Sequence, residues 1–121
     1  MVPRPQKKRF VCMEPNHFLF GPLGLGDPDK AIIHLTVDEL ECIRLLDLEH
    51  LTQEQVAHQM NVARTTVQRI YEEARNKVAK MLIDGNYLQV SGGEYQLCLL
   101  ERCPHCQKRQ HQQNKPLEEP K

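Results

Sequence analysis

Aromatic side chains are scarce in this sequence, which has no tryptophan, three tyrosines and three phenylalanines. Its core must therefore form by aliphatic packing, and a hydrophobic content of 40% over 121 residues is enough for one compact domain with tails. No run of about 18 apolar residues is present to span a membrane, and the basic start MVPRPQKKRF lacks the apolar segment of a signal peptide. We therefore expect a cytoplasmic protein with no membrane partner.

A net charge is also missing, because 16 Lys and Arg residues balance 16 Asp and Glu residues. Taken alone, this balance argues against binding to nucleic acid. The charges are nevertheless segregated: residues 1–11 have four bases and no acid, residues 36–55 have six acids and one base, and residues 61–80 have five bases and two acids. Phosphate attraction depends on the local field more than on the total, so the two basic segments are candidate nucleic-acid surfaces.

Motifs for catalysis are absent as well. The sequence has no recognisable pair of catalytic carboxylates, nucleophile–base set or cofactor loop, so we do not expect an enzyme. Gly21, Gly24 and Gly26 do not form a phosphate-binding loop, because no Gly-Lys-Ser/Thr follows them and no helix opens directly after them. The segment Asn16–Lys30 that contains them is predicted to be a loop.

The most informative segment is LTQEQVAHQMNVARTTVQRIYEEARNKVAKML, from Leu51 to Leu82. Counted from Gln53 as position 1, apolar residues occupy positions 4, 8, 10, 15 and 18, and position 5 is the small residue Ala57. This spacing is typical of two helices that cross at a steep angle, joined by a tight turn at Asn61–Ala63. It predicts a helix-turn-helix, whose usual role is to place its second helix in the DNA major groove.

The whole chain is predicted to be mainly α with a small β element. Capping boxes that begin at Thr36 and Thr52 predict helix 1 (Val37 to about Leu48) and helix 2 (Gln53–Met60). Helix 3 should run from Arg64 to about Leu82 and end at Gly85 as a left-handed cap. Helix 1 should turn an acidic face outward and bury Cys42 together with an apolar face. That apolar face is expected to contain Leu40, Ile43, Leu45, Leu46 and Leu48.

Short strands are expected on both sides of the helical domain, at Arg9–Met13 and Ala31–Leu35. Tyr87–Val90 and Glu94–Leu99 flank Gly92–Gly93 and predict a C-terminal β-hairpin, which the N-terminal strand is a candidate to join. The expected organisation has five parts: a basic arm (1–9), strands with a Pro/Gly-rich loop (10–35), a helix-turn-helix domain (36–84), a hairpin with a Cys-rich segment (86–106) and a disordered tail (107–121).

Helix 3 carries the residues that we expect to read DNA. Arg can pair with guanine and Gln with adenine, and Thr can contact a thymine methyl or a phosphate. The candidates are Arg64, Thr65, Gln68 and Arg69, with Thr66 near the DNA backbone. Candidate phosphate contacts lie at the start of helix 2, where free amides attract anions, and in the basic arm. They are Thr52, Gln53 and Gln55, and Arg4, Lys7 and Lys8. The alternative is that these are the ordinary polar residues of an exposed helix.

A cysteine cluster near the C-terminus is the second candidate site. Cys98, Cys103 and Cys106 follow the pattern C-x4-C-x2-C, and the last two have the spacing of a zinc knuckle. The best candidate for the fourth ligand is Cys12, because its strand can pair with the strand that ends at Cys98. The alternative fourth ligands are His17, His105 and His111. A closed four-ligand zinc site would be structural. The other interpretations are free thiols in a loose tail, or a redox pair.

Three blocks of the sequence resemble a known family: Pro3–Cys12, Leu35–Glu49 and Leu51–Ala79. They look like the prokaryotic uncharacterised protein family 0251, also called domain of unknown function 134, over residues 2 to about 98. The resemblance implies a DNA-binding regulator whose helix-turn-helix is similar to the fourth region of sigma factors. It also implies the glycine-bracketed hairpin YLQVSGGEYQLC and, as in some members, a cysteine-rich C-terminus.

The sequence departs from the family pattern at Lys8, where many members have cysteine, at Asn61, which replaces a turn glycine, and at Ala63, which replaces a serine cap at a cost of about 1 kcal/mol. None of these positions is on the predicted reading face. We expect a sequence-specific regulator that binds double-stranded DNA as a homodimer, because one helix-turn-helix reads few base pairs. The alternatives are a zinc-stabilised adaptor, for example to RNA polymerase, and a metal- or redox-responsive regulator.

Overall fold

The computed structural model describes residues 8–12, 14–24 and 29–97. In chain order, three short strands precede three helices, and two short strands follow them. The strands are β1 (Arg9–Val11), β2 (Leu19–Phe20), β3 (Ile33–Leu35), β4 (Leu88–Val90) and β5 (Tyr95–Leu97). The helices are α1 (Val37–Ile43), α2 (Gln53–Met60) and α3 (Arg64–Asp84). The predicted fold class, mainly α with a small β element, is confirmed.

Helix α1 begins at the predicted capping box, in which the Thr36 hydroxyl accepts a hydrogen bond from the Glu39 amide and the Glu39 carboxylate accepts one from the Thr36 amide. After Ile43 the helix widens into a π-type turn, Arg44–Leu48, so that the helical region ends where the sequence predicts. A π-type turn inserts an extra residue into the helical period. It therefore rotates the end of the helix relative to the face that a 3.6-residue period assigns to it.

The face of the first helical region, α1 with its π-type turn, that lies deepest in the protein differs from the predicted leucine-rich face. Its buried members include three acids, a thiol and a leucine: Asp38, Glu39, Glu41, Cys42 and Leu45. The expected outward acidic face is therefore wrong for these three carboxylates. Leu48 was expected to be buried, and that is also wrong, because it lies at the end of the π-type turn and is 72% exposed. The buried Cys42 agrees with the prediction.

Helices α2 and α3 begin at the predicted residues and are joined by the predicted three-residue turn. The second capping box is present, with reciprocal hydrogen bonds between Thr52 and Gln55. Helix α3 continues two residues beyond the expected end and stops at Gly85, which is left-handed (φ +70°) and donates its amide to the Met81 carbonyl. At about 1.5 Å per residue, its 21 residues span roughly 30 Å.

The five strands form two small sheets, and the predicted C-terminal hairpin is wrong. Strand β4 pairs antiparallel with β2 and parallel with β3, whereas β5 pairs parallel with β1 in a separate sheet. The connection between β4 and β5 does not fold back, because it is held against the start of α1. Ser91 donates to the Leu35 carbonyl at 3.0 Å, and Val37 donates to the Gly92 carbonyl at 3.1 Å. The candidate role of the N-terminal strand as a partner of β5 is confirmed.

Strand β2 falls inside the segment 16–30 that we predicted to be a loop. Its two residues, Leu19 and Phe20, lie opposite Gln89 and Leu88 of β4. Both side chains remain exposed, so the segment has none of the buried apolar alternation by which a strand is recognised in sequence. The prediction of an uninterrupted loop is therefore corrected for these two positions.

The core consists of two clusters of buried side chains on either side of α1. One joins α1 to α2 and α3, and its members are Cys42, Leu45, Val56, Ala57, Met60, Val67 and Ile70. The other joins α1 and the later part of α3 to the strands, and its members are Val11, Leu35, Val37, Ala74, Leu88 and Val90. Neither cluster contains an aromatic residue, which agrees with the predicted aliphatic packing. Tyr95 packs at the edge of the second cluster.

The two glycines before β5 provide a matched test of this packing. Both have positive φ, +74° at Gly92 and +97° at Gly93, but only at Gly93 would a Cβ atom meet other atoms, overlapping Asp38 Oδ1 and lying 2.9 Å from Thr36 Cβ. We expect Gly93→Ala to lower the free energy of unfolding by about 3 kcal/mol, and Gly92→Ala by about 1 kcal/mol from backbone strain alone. Urea unfolding measures both; equal losses in the two variants would contradict the close contact.

Candidate nucleic-acid interface

The relative position of α2 and α3 is fixed by the apolar residues of the predicted spacing. Val56, Met60 and Val67 are fully buried and Ile70 is 2% exposed, and all four belong to one core cluster. Val62 in the turn packs against the same cluster. The 4-8-10-15-18 pattern therefore identified the inner surfaces of both helices correctly. As a consequence, the opposite side of α3 is left to solvent.

The turn between the helices depends on Asn61, which adopts the left-handed conformation (φ 59°, ψ 49°) expected at the position of the family's turn glycine. Asn is among the few residues with a side chain that tolerate this region. The following amide, that of Val62, donates to the Ala57 carbonyl at 3.0 Å and so closes the end of α2. The departure from glycine at this position is thus accommodated without a change of turn geometry.

The first turns of α3 present the predicted reading residues to solvent. Arg64, Thr65, Gln68 and Arg69 are exposed, and Thr66 is half-buried. The side chains of the two arginines are 58% and 56% exposed, and their ion pairs are long: 3.8 Å from Arg64 to Glu54 and 3.5 Å from Arg69 to Glu73. Exposed ion pairs of this kind are worth little and break at little cost. Both guanidinium groups can therefore change partners.

The start of α2 lies beside the start of α3. Arg64 Nε donates to Gln53 Oε1 at 3.5 Å, which joins the two predicted contact groups. Thr52 and Gln55 are exposed, but part of each side chain is used within the capping box, where Thr52 Oγ1 accepts from the Gln55 amide and Gln55 Oε1 accepts from the Thr52 amide. The hydroxyl hydrogen of Thr52 and the side-chain amide group of Gln55 are the donors that can bond to groups outside the capping box.

The predicted basic arm is described only at its end. Lys8 is exposed, whereas Arg4 and Lys7 lie outside the described residues. Arg9, which contributes to the positive charge of this segment, is not available to phosphate, because its Nη1 donates to Asp38 Oδ2 at 2.9 Å and its side chain is only 14% exposed. The positive charge of the arm is therefore smaller in the folded protein than in the sequence.

A group of buried ion pairs behind the reading face was not predicted. Asp38 bonds to Arg9 on β1, Glu39 accepts from Lys77 Nζ on α3 at 2.7 Å, and Glu41 accepts from Arg44 Nε at 2.5 Å. The sequence contains one indication that Asp38 is buried. Asp38 precedes the buried residues Cys42 and Leu45 by four and seven positions, and this spacing places all three on one face of a helix. Because acidic side chains usually lie in solvent, their charge alone predicts an exposed position.

Burial and charge act in opposite directions on Arg44. Burial lowers the pKa of its guanidinium, but the hydrogen bond to Glu41 and the charges of Glu41, Cys12 and Glu49 outweigh burial and raise the pKa above its ordinary value. Arg44 therefore keeps its positive charge at any pH at which the protein is folded.

Cys12 is the one cysteine of the predicted zinc site that lies in the described part of the chain. It is 5% exposed, its amide donates to Glu41 Oε2 at 2.6 Å, and its Sγ accepts from Gln59 Nε2 on α2 at 3.0 Å. It follows directly after Val11, which lies opposite Leu97 in the β1–β5 pair. The other predicted ligands, Cys98, Cys103 and Cys106 with the alternates His105 and His111, lie outside the described residues.

Among residues 8–12, 14–24 and 29–97, no three His, Cys, Asp or Glu side chains are grouped closely enough to hold a metal ion. The remaining alternate ligand, His17, is exposed. The second described cysteine, Cys42, is fully buried, with its Sγ 3.7 Å from Met60 Sδ. Burial, reinforced by the nearby carboxylates of Asp38 and Glu41, raises the pKa of this thiol to about 12. Cys42 is therefore an uncharged core residue, as predicted, and not a nucleophile.

The family model described as "Protein of unknown function DUF134" matches residues 1–98. The chain belongs to this family. The UPF0251 protein of Desulfitobacterium hafniense (strain DSM 10664 / DCB-2) is 57% identical over 97 residues, which are 80% of this chain and 78% of that protein. The UPF0251 protein of Halothermothrix orenii is 43% identical over 104 residues, 85% of this chain and 77% of its own length. That of Chlorobaculum tepidum is 38% identical over 115 residues, 95% of this chain and 58% of its own length.

No solved structure gives a significant match to the chain. The DUF134 match contains every described element from β1 to β5, including the whole of α2 and α3, whereas Cys103 and Cys106 lie beyond its last residue. The resemblance predicted from the sequence is thus confirmed at the level of family membership. In the described part of this DUF134 protein, no helix has both the length and the apolar character needed to cross a membrane.

The departure at Ala63 can be tested directly. Ala63 is the N-cap of α3, with extended backbone (φ −71°, ψ 151°) and no side-chain hydrogen bond to the free amides of the first turn. We expect Ala63→Ser to raise the free energy of unfolding by about 1 kcal/mol, because a serine hydroxyl can accept from those amides. As a control, Ala79→Ser in the exposed middle of the same helix should lower it by about 0.5 kcal/mol. Urea unfolding compares the two, and a loss of stability in both would show that Ala63 is not a normal cap.

Proposed function

We propose that the protein binds double-stranded DNA in a sequence-specific manner and regulates transcription, with α2 and α3 acting as a helix-turn-helix. The observation that carries this proposal is the two-sided character of α3. Val67 and Ile70 hold one side of the helix against α2, while the guanidinium, amide and hydroxyl groups of its first turns lie together on the exposed side. A helix fixed in this way presents a row of hydrogen-bonding side chains to one groove of DNA.

The chemistry of the exposed side chains suits base recognition. In the proposed complex, Arg64 and Arg69 exchange their weak partners Glu54 and Glu73 for guanine edges or phosphates, and Gln68 pairs with adenine. Thr65 contacts a thymine methyl or a phosphate, and the half-buried Thr66 is proposed to lie near the DNA backbone. The exposed arginines lose little on leaving their carboxylate partners, so most of the energy of the new contact remains available for binding.

Phosphate contacts set the position of the reading helix. Thr52, Gln53 and Gln55 at the start of α2 lie next to Arg64, and the free amides of a helix start attract anions. Lys8, which is exposed, is proposed to add a phosphate contact, and Arg4 and Lys7 are proposed to do the same. The proposal includes a homodimer, because a single helix-turn-helix reads too few base pairs for regulation. It requires a cytoplasmic protein and includes no catalytic step.

We also propose that one structural zinc ion is held by Cys12, Cys98, Cys103 and Cys106, with His105 or His111 as alternates. Cys12 suits this role because its thiol is buried and oriented by the Gln59 amide, as outer-shell hydrogen bonds orient metal ligands. The β1–β5 pair supports it, because Val11 lies opposite the residue that precedes Cys98 in the sequence. Zinc would supply a cross-link between the two ends of the domain.

The function is tested by selecting bound sequences from a pool of random DNA duplexes with the full-length protein, with and without a zinc chelator. We expect enrichment of one motif, with two half-sites if the protein is a dimer. Loss of enrichment in the chelator, together with a lower melting temperature, is expected if zinc is structural. No enrichment by a folded, zinc-loaded protein would contradict the DNA proposal and favour the zinc-stabilised adaptor, which binding to RNA polymerase would then support.

Arg64 provides a test at the level of one residue. We expect Arg64→Ala to reduce the preference for the selected motif over random DNA by about 1–3 kcal/mol, because one bidentate base contact is lost. The matched control is Arg75→Ala, which removes the same group from the same helix about 16 Å farther along. Arg75 is exposed and lies over the Tyr71 ring at 5.2 Å. Fluorescence titrations with both duplexes measure the preference, and an unchanged preference in Arg64→Ala would remove this residue from the reading set.

A further inference from the structure

A polar cleft of about 300 Å³ lies beside the reading helix, between the start of α1, the middle of α3 and the segment that precedes β5. One wall is formed by Arg9 of β1, and Ile70 is the one large apolar residue in the lining. Most of the other lining residues are charged, and they are Asp38, Glu39, Arg69, Glu73, Lys77 and Glu94. A cleft of this size and polarity is large enough for a small, hydrophilic molecule.

The charges that line the cleft do not cancel. Three bases are matched by three acids in the ion pairs Arg9–Asp38, Lys77–Glu39 and Arg69–Glu73. The carboxylate of Glu94 is the fourth acid in the lining and leaves an excess of one negative charge. The cleft therefore favours a ligand with one positive charge over a neutral or anionic one.

Three polar atoms of the lining residues are buried and have no hydrogen-bond partner among the described residues: Asp38 Oδ1, Glu39 Oε2 and Arg9 Nε. Asp38 and Glu39 are 4% and 3% exposed, so these oxygens are withdrawn from solvent. A buried carboxylate oxygen without a donor is unfavourable. A ligand would satisfy these atoms if it had two N–H donors for the carboxylate oxygens and one acceptor for the Nε–H group of Arg9.

Gly93 lies close beside Asp38 and adds no side chain to the cleft. A Cβ atom at this position would overlap Asp38 Oδ1, and the backbone of Gly93, at φ +97°, is one that residues with side chains rarely adopt. Because Gly93 itself lines the cleft, the unpartnered oxygen of Asp38 is approached across a residue without a side chain. Close approach to a ligand is one of the uses of glycine in binding sites.

We propose that this cleft binds a small primary ammonium ion that also carries an oxygen acceptor, such as an amino alcohol. The ammonium group donates to Asp38 Oδ1 and Glu39 Oε2, and the oxygen of the ligand accepts from Arg9 Nε. A divalent metal ion does not fit the same groups, because no cluster of three metal-ligating side chains is present among the described residues. An ammonium ion needs only directional acceptors, which the two carboxylates supply.

The cleft includes Glu73 and Arg69, so its occupant meets a residue of the proposed DNA-reading face. A bound cation competes with Arg69 for the Glu73 carboxylate and frees the guanidinium for DNA. This consequence rests on the proposed function, but the binding of the ammonium ion does not. The experiment therefore measures binding without DNA, so that a failure of one proposal is distinguishable from a failure of the other.

The test is a titration of the isotope-labelled full-length protein with ethanolamine, followed by amide chemical shifts at constant ionic strength. We expect saturable shifts, in the millimolar range for so small a ligand, at the amides of Thr36, Asp38, Glu39, Gly93 and Glu94. Ethylammonium, which lacks the acceptor, should bind more weakly. Tetramethylammonium, which has the charge but no N–H donor, should give no saturable shifts at these amides.

Two exposed glutamates on α3 give a matched pair of variants. Glu73→Gln removes a charge from the cleft lining and should weaken ethanolamine binding about fivefold, whereas Glu72→Gln removes the same charge from the neighbouring position, which is not in the lining, and should leave it unchanged. Asp38→Asn should abolish binding in a protein whose spectrum remains dispersed. If Asp38→Asn does not fold, the comparison of Glu73→Gln with Glu72→Gln decides whether ethanolamine binds in the cleft.

Three results would overturn the proposal. The first is the absence of saturable shifts with ethanolamine, which would mean that water alone satisfies the buried oxygens. The second is an equal response to tetramethylammonium, which would reduce the effect to screening of charge. The third is the same affinity in the Glu72 and Glu73 variants, which would place the bound amine outside the cleft.

Discussion

Three carboxylates on one buried turn of helix α1 hold the elements of this protein in place. Asp38 binds Arg9 of β1, Glu39 binds Lys77 of α3, and Glu41 bonds to Arg44 and to the backbone that follows β1. Charges withdrawn from water are tolerated only when they are paired, and loss of one partner of a buried pair costs about 3–5 kcal/mol. The net stabilisation from such pairs is small, so their main effect is to fix which surfaces of β1 and α3 meet α1.

Tight and loose ion pairs are distributed unevenly over α3. Lys77, in the middle of the helix, is bound to a carboxylate that is 4% exposed, whereas the ion pairs of Arg64 and Arg69 near its start are long and involve exposed glutamates. The helix is thus anchored by its middle and by the aliphatic residues Val67 and Ile70, while its first turns keep exchangeable charges. This division is what a helix needs if it is to hold its position in a fold and still form new polar contacts.

The sequence predicted those features that depend on neighbours a few positions apart. The bounds of α2 and α3, the capping boxes and the left-handed Asn61 and Gly85 all follow from local spacing and residue type. The hairpin was predicted wrongly because Gly92–Gly93 is a typical turn in isolation, and its bonding to β3 and the start of α1 involves residues more than fifty positions away. The burial of Asp38 and Glu39 was missed for the same reason, since their partners Arg9 and Lys77 are distant in sequence.

The candidate site was predictable to the same extent as the helices that carry it. Arg64, Thr65, Gln68 and Arg69 are exposed because the buried positions Val67 and Ile70 lie between and beside them, which the periodicity alone required. The cleft behind Arg69 was not predictable, because it is lined by β1, α1, α3 and the segment before β5, and no local pattern brings these together. Family membership adds relatives that match most of this chain but describes no site.

The parallel pairing of β1 with β5 has a consequence for the order in which the chain folds. Arg9 lies opposite Tyr95, so this sheet closes a loop that contains all three helices. Closing a long loop is entropically costly, and contacts between residues far apart in sequence are the slow ones to form. The helices, whose contacts are local, can collapse first, and the two ends of the domain join afterwards. During synthesis, β1 can pair with β5 only after nearly the whole domain has left the ribosome.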